Sequence, residues 1–364
     1  MSKAAELAAL IGSQSALSNR NLVINGAMQV AQRGTSFDQA GGAVTYSHPL
    51  DRFRYEEGIE QWAGTMSQST DVPSSLDASF KYSLKIETTT VETTIDADDF
   101  AQIVYYFEGY DGDKLAYGTS NARVSTLSFY VRSSVTGTYC LGLSNQDGTR
   151  TLPLEYTVDA ANTWQRIELT VPAATDGTWG TGSSKHLGIR WLFGKPGTNF
   201  DGGTNGVWAS DSGYAKLYTD QSNTVDWLRT AGSTLFITGV QLEVGEQATP
   251  FEHRSFGDEL ARCQRYYQHL GAQFHGKFYQ SNKTIIAGQT IVTMRAAPTV
   301  TLESKSITID EMGISPRTFT ASDGGTYGIT KDGIGVFNIT GTHGGTVGNL
   351  VSSHGNFFKV DAEL

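Results

Sequence analysis

The chain has 364 residues and a formal net charge of −10 at pH 7, with 38% hydrophobic residues, 41 glycines and 11% aromatic residues. This length exceeds one comfortable hydrophobic core, so we predict two domains and a terminal extension. An acidic chain lacks the basic face that nucleic acid requires, and no stretch approaches the roughly 20 apolar residues that span a bilayer. We therefore expect no nucleic-acid partner and no membrane insertion.

The first twenty residues predict a short amphipathic helix. Leu7, Leu10 and Ile11 recur at helical spacing, and Glu6 lies inside the apolar run, which argues against a signal peptide. A helix of about two to three turns is marginal by itself, so it should dock on another surface. We assign residues 1–20 as an attachment segment.

Residues 21–253 carry the alternation that is typical of half-buried strands. Apolar side chains recur at every second position in residues 82–86, 127–131, 139–143, 167–171 and 187–193. In residues 235–244 the alternation changes phase at Thr238 and Gly239, which predicts a β-bulge. Roughly eight to ten strands separated by Gly, Asp and Asn turns predict two packed antiparallel sheets, a jelly-roll sandwich in a mainly β fold.

Two long glycine-rich segments, 174–186 and 194–214, interrupt these strands and are typical of functional or mobile loops. We expect an exposed aromatic ring in such a loop to stack on the face of a sugar, while neighbouring polar side chains form hydrogen bonds with the hydroxyl groups of that sugar. The alternative is that each loop folds its own aromatic ring beneath itself. The predicted glycan-binding set is Trp179, Phe200, Trp208, Asp201 and Asn205.

Residues 254–270 predict the one long helix of the chain. Ser255 and Asp258 resemble a capping box, and Asp258 and Glu259 suit the positive end of the helix dipole. We interpret this helix as a connector to a C-terminal β domain at residues 271–364. Its apolar stripe predicts packing against a domain or another subunit through Phe256, Leu260, Cys263 and Tyr267.

Few residues suggest cofactor or metal chemistry. Cys140 and Cys263 are predicted to be buried thiols in a protein that folds in a reducing compartment. The glycines lack a phosphate-loop pattern, and the histidines lack zinc spacing. Residues 201–206 offer Asp and Asn oxygens without the spacing of a calcium loop, so we predict no cofactor and leave a structural calcium open. A glycosidase needs two facing carboxylates, which the sequence does not pair.

Five segments together resemble a known family. "SNRNLVINGAMQVAQRGTSF" (18–37), "YSHPLDRF" (46–53), "VQLEVGEQATPFEHRSFGDELARCQRYYQ" (240–268), "TMRAAPTVTL" (293–302) and "KVDAEL" (359–364) occur in the same order in the family that they resemble. That family comprises bacteriophage and prophage virion proteins, described as tail fibre or receptor-binding proteins with a jelly roll like that of carbohydrate-binding modules. None of the segments is a catalytic signature.

The resemblance implies a place on the virion, at the tail or capsid surface, after folding in the host bacterial cytoplasm. It implies other virion proteins and a host cell-surface polysaccharide as partners, and a homotrimer as the assembly. We therefore predict a non-enzymatic receptor-binding tail fibre protein. The alternatives are a capsid decoration or tail adaptor protein with no receptor role and, less favoured, a polysaccharide depolymerase, for which the regular repeat of a parallel β-helix is missing from the sequence.

Overall fold

The computed structural model describes residues 19–40, 46–77, 79–270, 274–280, 283–302, 306–311, 317–320, 323–340, 350–353 and 358–364. The predicted attachment residues Leu7, Leu10 and Ile11 lie outside the described residues. The chain divides into two compact units, one reaching to Glu259 and including Leu364, the other running from Leu260 to Glu363. Among the described residues, no helix is long and apolar enough to cross a membrane.

The first unit consists mainly of strands. Its described helical elements begin with α1 (Gly109–Gly112), which continues directly into a 3-10 turn at Asp113–Leu115. A second 3-10 turn spans Gln221–Asn223, and the first residues of α2 (Phe256–Gln264) also belong to this unit. Its strands are β1 (Ser36–Gln39), β2 (Tyr46–Leu50), β3 (Phe53–Gly58), β4 (Ala63–Ser69), β5 (Ser83–Thr90), β6 (Phe100–Glu108), β7 (Ser125–Ser133), β8 (Gly137–Asn145), β9 (Arg150–Val158), β10 (Gln165–Val171), β11 (Lys185–Leu192), β12 (Ala209–Ser210) and β13 (Thr234–Val244).

These strands form two antiparallel sheets. The six-stranded sheet has the order β1-β4-β5-β13-β7-β10, and the seven-stranded sheet has the order β12-β9-β8-β11-β6-β3-β2. The chain crosses repeatedly from one sheet to the other, for example between β5 and β6. The predicted antiparallel sandwich is therefore confirmed.

One hydrophobic core fills the space between the two sheets. Its largest members are fully buried aromatic rings, including Trp62, Trp191 and Trp227. Strand β6 is buried on both faces, so its sequence "FAQIVYYFE" is a nearly continuous apolar run without the alternation seen in its neighbours. Its inward side chains belong to the core, and its outward side chains form part of the candidate site described below.

The predicted β-bulge is confirmed on β13. The pairing of β13 with β7 shifts register between Thr238 and Gln241, and Gly239 has φ +62°. A Cβ at Gly239 would lie 2.7 Å from the Phe80 ring and 2.8 Å from the Tyr130 ring, so only glycine fits both the space and the backbone angle.

Asn25 organises the turn at the start of the sandwich, which we call the Asn25 turn (residues 21–30). Asn25 is fully buried with φ +61°, a left-handed conformation that asparagine tolerates better than most residues. Its Nδ2 donates to Val30 O and to Asp51 O, both at 2.9 Å, and its Oδ1 accepts from Val30 N at 2.9 Å. One side chain thus satisfies three buried backbone groups.

The Asn25 turn is also held by the segment that leads into helix α2. Glu259 Oε2 accepts from Asn25 N at 2.9 Å, and Glu259 Oε1 accepts from Arg254 Nη1 at 2.9 Å. Arg254 also donates to Val23 O and Asn21 O. The side chains of Arg254 and Glu259 are 6% and 5% exposed, so this is a buried ion pair. Residues that are 231 to 234 positions apart in sequence are therefore joined by direct hydrogen bonds.

Helix α2 begins as predicted and ends earlier. Ser255 Oγ accepts from Asp258 N at 3.2 Å, as expected of the capping residue. The helix stops at Gln264, whose carbonyl accepts from Gln268 Nε2 at 2.9 Å. Tyr267, which the sequence placed on the helix, lies instead in a strand, because residues 267–270 pair with residues 358–361 and this long-range pairing overrides the helical spacing.

In its described residues, the second unit contains two further antiparallel sheets, one of three strands and one of seven. Cys263 and Tyr267 are buried within it, Leu260 is half-buried, and Phe256, assigned above to the first unit, is 55% exposed in the single chain. Its strands are β14 (Tyr267–Leu270), β15 (Phe274–Gln280), β16 (Lys283–Gln289), β17 (Thr299–Leu302), β18 (Ser306–Glu311), β19 (Arg317–Thr320), β20 (Asp323–Thr330), β21 (Gly333–Thr340), β22 (Leu350–Ser353) and β23 (Phe358–Asp361).

Candidate functional site

The outer face of the seven-stranded sheet carries a row of polar and aromatic side chains. Register pairs Arg54 on β3 and Arg190 on β11 with the same residue, Val104 on β6, so both arginines project from the outer face. One row over, Tyr46 pairs with Glu56, and Glu56 pairs with Gln102. Alternation places the core side chains of these strands on the opposite face. The outer side chains form the floor of a cleft.

Residues 194–218 form one wall of this cleft. Phe200, Tyr214, Leu217 and Tyr218 all face the floor, and the Phe200 ring packs edge-on against Phe100 with 5.5 Å between the ring centroids. A Cβ at Gly142 on β8 would lie 2.7 Å from Leu217 and 2.8 Å from Tyr218. The bare backbone of β8 therefore allows the wall to lie directly on the sheet.

Backbone hydrogen bonds hold this wall in place. Tyr218 N donates to Phe200 O at 2.9 Å, and Gly203 N donates to Tyr218 O at 2.8 Å. Tyr214 adopts φ +69°, which is uncommon for a bulky residue. Such a conformation persists only where neighbouring contacts impose it, here a close approach of its ring to Gly148.

A buried hydrogen-bond network connects the floor residues. Glu56 accepts from Tyr106 OH at 2.9 Å and from Gln102 Nε2 at 3.0 Å, and it is ion-paired with Arg54 Nη2 at 2.5 Å. Tyr218 OH donates to Gln102 Oε1. Burial, opposed in part by the charge of Arg190, raises the pKa of Tyr106 to about 12, so its phenol stays protonated and donates to Glu56 at neutral pH.

Three cations surround the ring of Tyr106. Lys185 Nζ lies 3.6 Å from the ring centroid, and the guanidinium carbons of Arg54 and Arg190 each lie 5.5 Å from it. Arg54 also lies over the exposed ring of Tyr46 at 4.3 Å, and Arg190 lies over Tyr214 at 5.0 Å. The cations thus hold the aromatic rings in fixed orientations.

The cleft has a volume of ≈300 Å³. This is the lower end of the range of about 300–1,000 Å³ that is usual for small-ligand sites. Aromatic rings at its rim present flat apolar faces, and the network below presents hydrogen-bond donors and acceptors. The arrangement suits a ligand that has both an apolar face and many hydroxyl groups.

The predicted glycan-binding residues do not form one site in the structure. Phe200 lines the cleft, whereas Trp179 is 8% exposed and packs with its ring centroid 4.9 Å from Tyr117 and 5.5 Å from Trp208. Trp179 Nε1 donates to Asp176 O, and Trp208 Nε1 donates to Pro172 O. For Trp179, the alternative in which the loop folds over its own ring therefore describes the structure, and Trp208 is half-buried against the same core.

Asp201 and Asn205 are not among the residues that line the cleft, although Asp201 directly follows Phe200 in the chain. Asn205 Oδ1 accepts from Glu155 N at 3.0 Å, so this side chain fixes its loop to the edge of β9. Asp201 is half-buried in the same loop. Within the described part of the chain, no three His, Cys, Asp or Glu side chains gather as metal ligands would. Cys140 and Cys263 are buried thiols, as predicted.

Sequence reasoning missed most of the floor, including Tyr46, Arg54, Glu56, Gln102 and Arg190. A signal was present for two of them. Arg190 is the only charged residue in the strand core "LGIRWL", and Glu56 occupies the polar phase of "FRYEEG". A charged residue at an outward-facing position of a strand that is otherwise apolar indicates a polar site on that face of the sheet.

His186 lies beside Trp179 and is buried without a partner for one ring nitrogen. Its Nδ1 contacts Gly180 O at 2.7 Å, while Nε2 is buried and has no hydrogen-bond partner. Burial is the main cause that lowers the pKa of His186 below its usual value. The unfolded chain therefore takes up a proton at a higher pH than the folded chain does.

We expect the free energy of unfolding to fall as pH drops below about 6.5, since protonation then favours the unfolded chain. Replacing His186 with Gln should reduce this slope between about pH 7 and pH 5. Urea unfolding at several pH values measures it, and a comparison at about pH 8, where the imidazole is neutral in both states, gives the pH-independent cost of the substitution. Parallel curves for the two proteins across the whole range would contradict the role of His186.

Comparisons with known proteins give only distant likenesses. No protein-family model matches the sequence, and no curated protein matches it. The enzymatically active domain of tailspike protein 4 from bacteriophage CBA120 is 13% identical, with 62% of this chain aligned to 22% of that chain at a TM-score of 0.33. TmCBM61, solved in complex with β-1,4-galactotriose, is 12% identical, with 62% of this chain aligned to all of that chain at 0.30.

A putative sugar-binding protein from Bacteroides thetaiotaomicron is 10% identical, with 62% of this chain aligned to all of that chain at a TM-score of 0.31. The solved structures that resemble this chain thus include carbohydrate-binding modules and one phage tailspike domain. Because the identities and TM-scores are low, these likenesses carry no argument about function.

Proposed function

We propose that the cleft on the seven-stranded sheet binds a glycan. The observation that supports this most is the combination of a partly exposed aromatic rim with a buried hydrogen-bond network beneath it. Tyr46 is 58% exposed and Tyr214 is half-buried, so both can offer part of a ring face to a sugar. Arg54, Gln102 and Arg190 lie below them and supply donors and acceptors that are already oriented.

We propose that the protein binds the glycan without cleaving it. Hydrolysis of a glycosidic bond commonly uses two carboxylates on either side of the bond. Among the described residues that line the cleft, Glu56 is the only carboxylate, and its oxygens are engaged by Arg54, Gln102 and Tyr106. Incubation of the protein with host polysaccharide should release no new reducing ends, and their appearance would overturn this part of the proposal.

Replacing Tyr46 with Ala should weaken glycan binding by about 1 kcal/mol, or roughly fivefold, because the stacking face is lost. Titration calorimetry with a polysaccharide selected from a glycan array measures the change. The matched control is Tyr110→Ala, since Tyr110 is 65% exposed on α1 and does not line the cleft. If both variants bound the polysaccharide as tightly as the parent protein does, Tyr46 would not be part of the binding site.

We further propose that this binding serves host attachment by a virion protein, of the tail fibre or receptor-binding type. The support is the sequence resemblance described above, three of whose segments contribute Asn25, Asp51 and Glu259, which are joined by hydrogen bonds. A map of the intact particle tests the location, copy number and the predicted homotrimer together. A decoration or adaptor role would instead be supported if host adsorption were unchanged in cleft variants.

A further inference from the structure

The cleft differs in charge from the protein as a whole. The chain has a net charge of −10, yet the described residues that line the cleft include three basic side chains and one acidic side chain. The three basic residues are Arg54, Lys185 and Arg190, and all three lie around the ring of Tyr106. Cations gathered in this way attract a negative ligand.

The single carboxylate that lines the cleft, that of Glu56, is already ion-paired with Arg54. Glu56 Oε1 lies 2.5 Å from Arg54 Nη2, and the remaining hydrogen bonds of Glu56 go to Tyr106 and Gln102. Arg54 Nη1 also donates to Leu364 O at 3.1 Å. The charge of Arg54 is therefore largely neutralised by Glu56 within the protein. The positive charge that a ligand meets in the cleft is mainly that of the part lined by Arg190.

Arg190 is 3% exposed and donates to neutral hydroxyl groups. Its Nη1 donates to Ser144 Oγ at 2.8 Å, and its Nη2 donates to Tyr106 OH at 3.3 Å. Among the described residues, Arg190 forms no salt bridge: the charge of Glu56 acts on it only from beyond ion-pair distance, whereas a buried guanidinium is ordinarily paired directly with a carboxylate. Arg190 lines the cleft, so a ligand that enters can supply the missing negative charge.

We infer that the ligand is an acidic glycan whose carboxylate group binds at Arg190 in the cleft, beside Tyr106. This inference rests on the proposed glycan-binding function and specifies its ligand class. The strand register places the Cα atoms of Arg54 and Arg190 on either side of β6, about 10 Å apart. A sugar carboxylate that lies between them is bound by Arg190, and its ring is placed against the aromatic wall.

The test compares acidic polysaccharide fragments with carboxyl-reduced copies of the same fragments, in which each uronic acid has become a neutral hexose of unchanged linkage. The probes are uronic-acid oligosaccharides selected from a bacterial glycan array. We expect binding to the reduced copy to be about tenfold weaker or more, because a charge-assisted hydrogen bond is lost. Raising the ionic strength from about 0.05 to about 0.5 M should weaken binding of the acidic form only.

Two variants test the residues. Arg190→Lys keeps the charge but loses the planar, two-pronged donor, and we expect about a tenfold loss of affinity for the acidic fragment and a clearly smaller loss for its neutral, carboxyl-reduced copy. Lys185→Gln should make the affinity for the acidic fragment less sensitive to ionic strength. Its matched control is Lys85→Gln on the other sheet, where Lys85 Nζ lies 5.9 Å from the Phe236 ring centroid, and this change should leave binding unaltered.

The outcomes distinguish a failure of the acidic-glycan inference from a failure of the proposed glycan-binding function. Tighter binding of the acidic fragment, with loss in Arg190→Lys, supports the inference. Equal binding of acidic and reduced fragments that is still weakened by Tyr46→Ala would overturn the inference and leave glycan binding intact. If neither kind of fragment binds, both the inference and the proposed function are wrong. Circular dichroism and the unfolding midpoint of Arg190→Lys show whether a loss reflects misfolding.

Discussion

Replacing Asn25 with Ala is expected to lower the free energy of unfolding of the sandwich by about 3–5 kcal/mol. The substitution removes three buried hydrogen bonds, those of Asn25 with Val30 N, Val30 O and Asp51 O, although Val30 O also accepts from Asp51 N at 3.4 Å. A buried polar group that loses its hydrogen bond costs about 1–3 kcal/mol. Alanine also tolerates the left-handed backbone at this position less well than asparagine does. Urea unfolding followed by tryptophan fluorescence is a suitable measurement, because all six tryptophans lie in the first unit.

Asn162→Ala provides the matched control for this prediction. Asn162 has φ +56° and is exposed, so it shares the backbone conformation of Asn25 but lies at the surface. Its replacement should cost about 1 kcal/mol. If the two variants lost the same stability, the buried hydrogen bonds of Asn25 would contribute little and the backbone angle would explain the whole effect.

Replacing Arg254 with Met is expected to cost roughly 3–5 kcal/mol, because it leaves the carboxylate of Glu259 buried without its cation. The same change removes the donors for Val23 O and Asn21 O. Adding Glu259→Gln to this variant should restore part of the stability, since the unpaired charge is then removed. The unfolding midpoints of the single and double variants measure this coupling.

The exposed ion pair between Asp226 and Arg229 is the control. Its side chains are 37% and 38% exposed, and the two ends lie 2.5 Å apart. Arg229→Met should cost less than about 1 kcal/mol, because solvent screens such a pair. A loss at Arg254 as small as the loss at Arg229 would show that the buried pair does not hold the Asn25 turn to the helix.

Much of the sandwich could be predicted from local patterns. Strands β5, β7, β8, β10 and β11 each have an alternating apolar phase, and the phase change at Gly239 marked the bulge. Strand β6 has no alternation because it is buried on both faces. The end of helix α2 could not be predicted either, since the pairing of Tyr267 with Asp361 depends on a strand almost a hundred residues away.

The candidate site could be predicted only in small part. Phe200 was identified because an aromatic residue in a glycine-rich loop suggests exposure. The floor remained hidden, since Arg54, Gln102 and Arg190 come from three strands whose adjacency depends on sheet order and register. Trp179 had the same sequence context as Phe200, yet its loop turns inward against Tyr117.

The wall formed by residues 194–218 has a consequence for the way a ligand arrives. The length and glycine content of this segment suggested mobility, but its backbone is fastened by hydrogen bonds such as the one from Gly203 N to Tyr218 O. The protein therefore loses little conformational entropy when the cleft is filled, and the ordering cost of binding falls mainly on the sugar chain. If the cleft binds a glycan as proposed, a stiff, regularly linked polysaccharide should bind more tightly than a flexible one of the same composition.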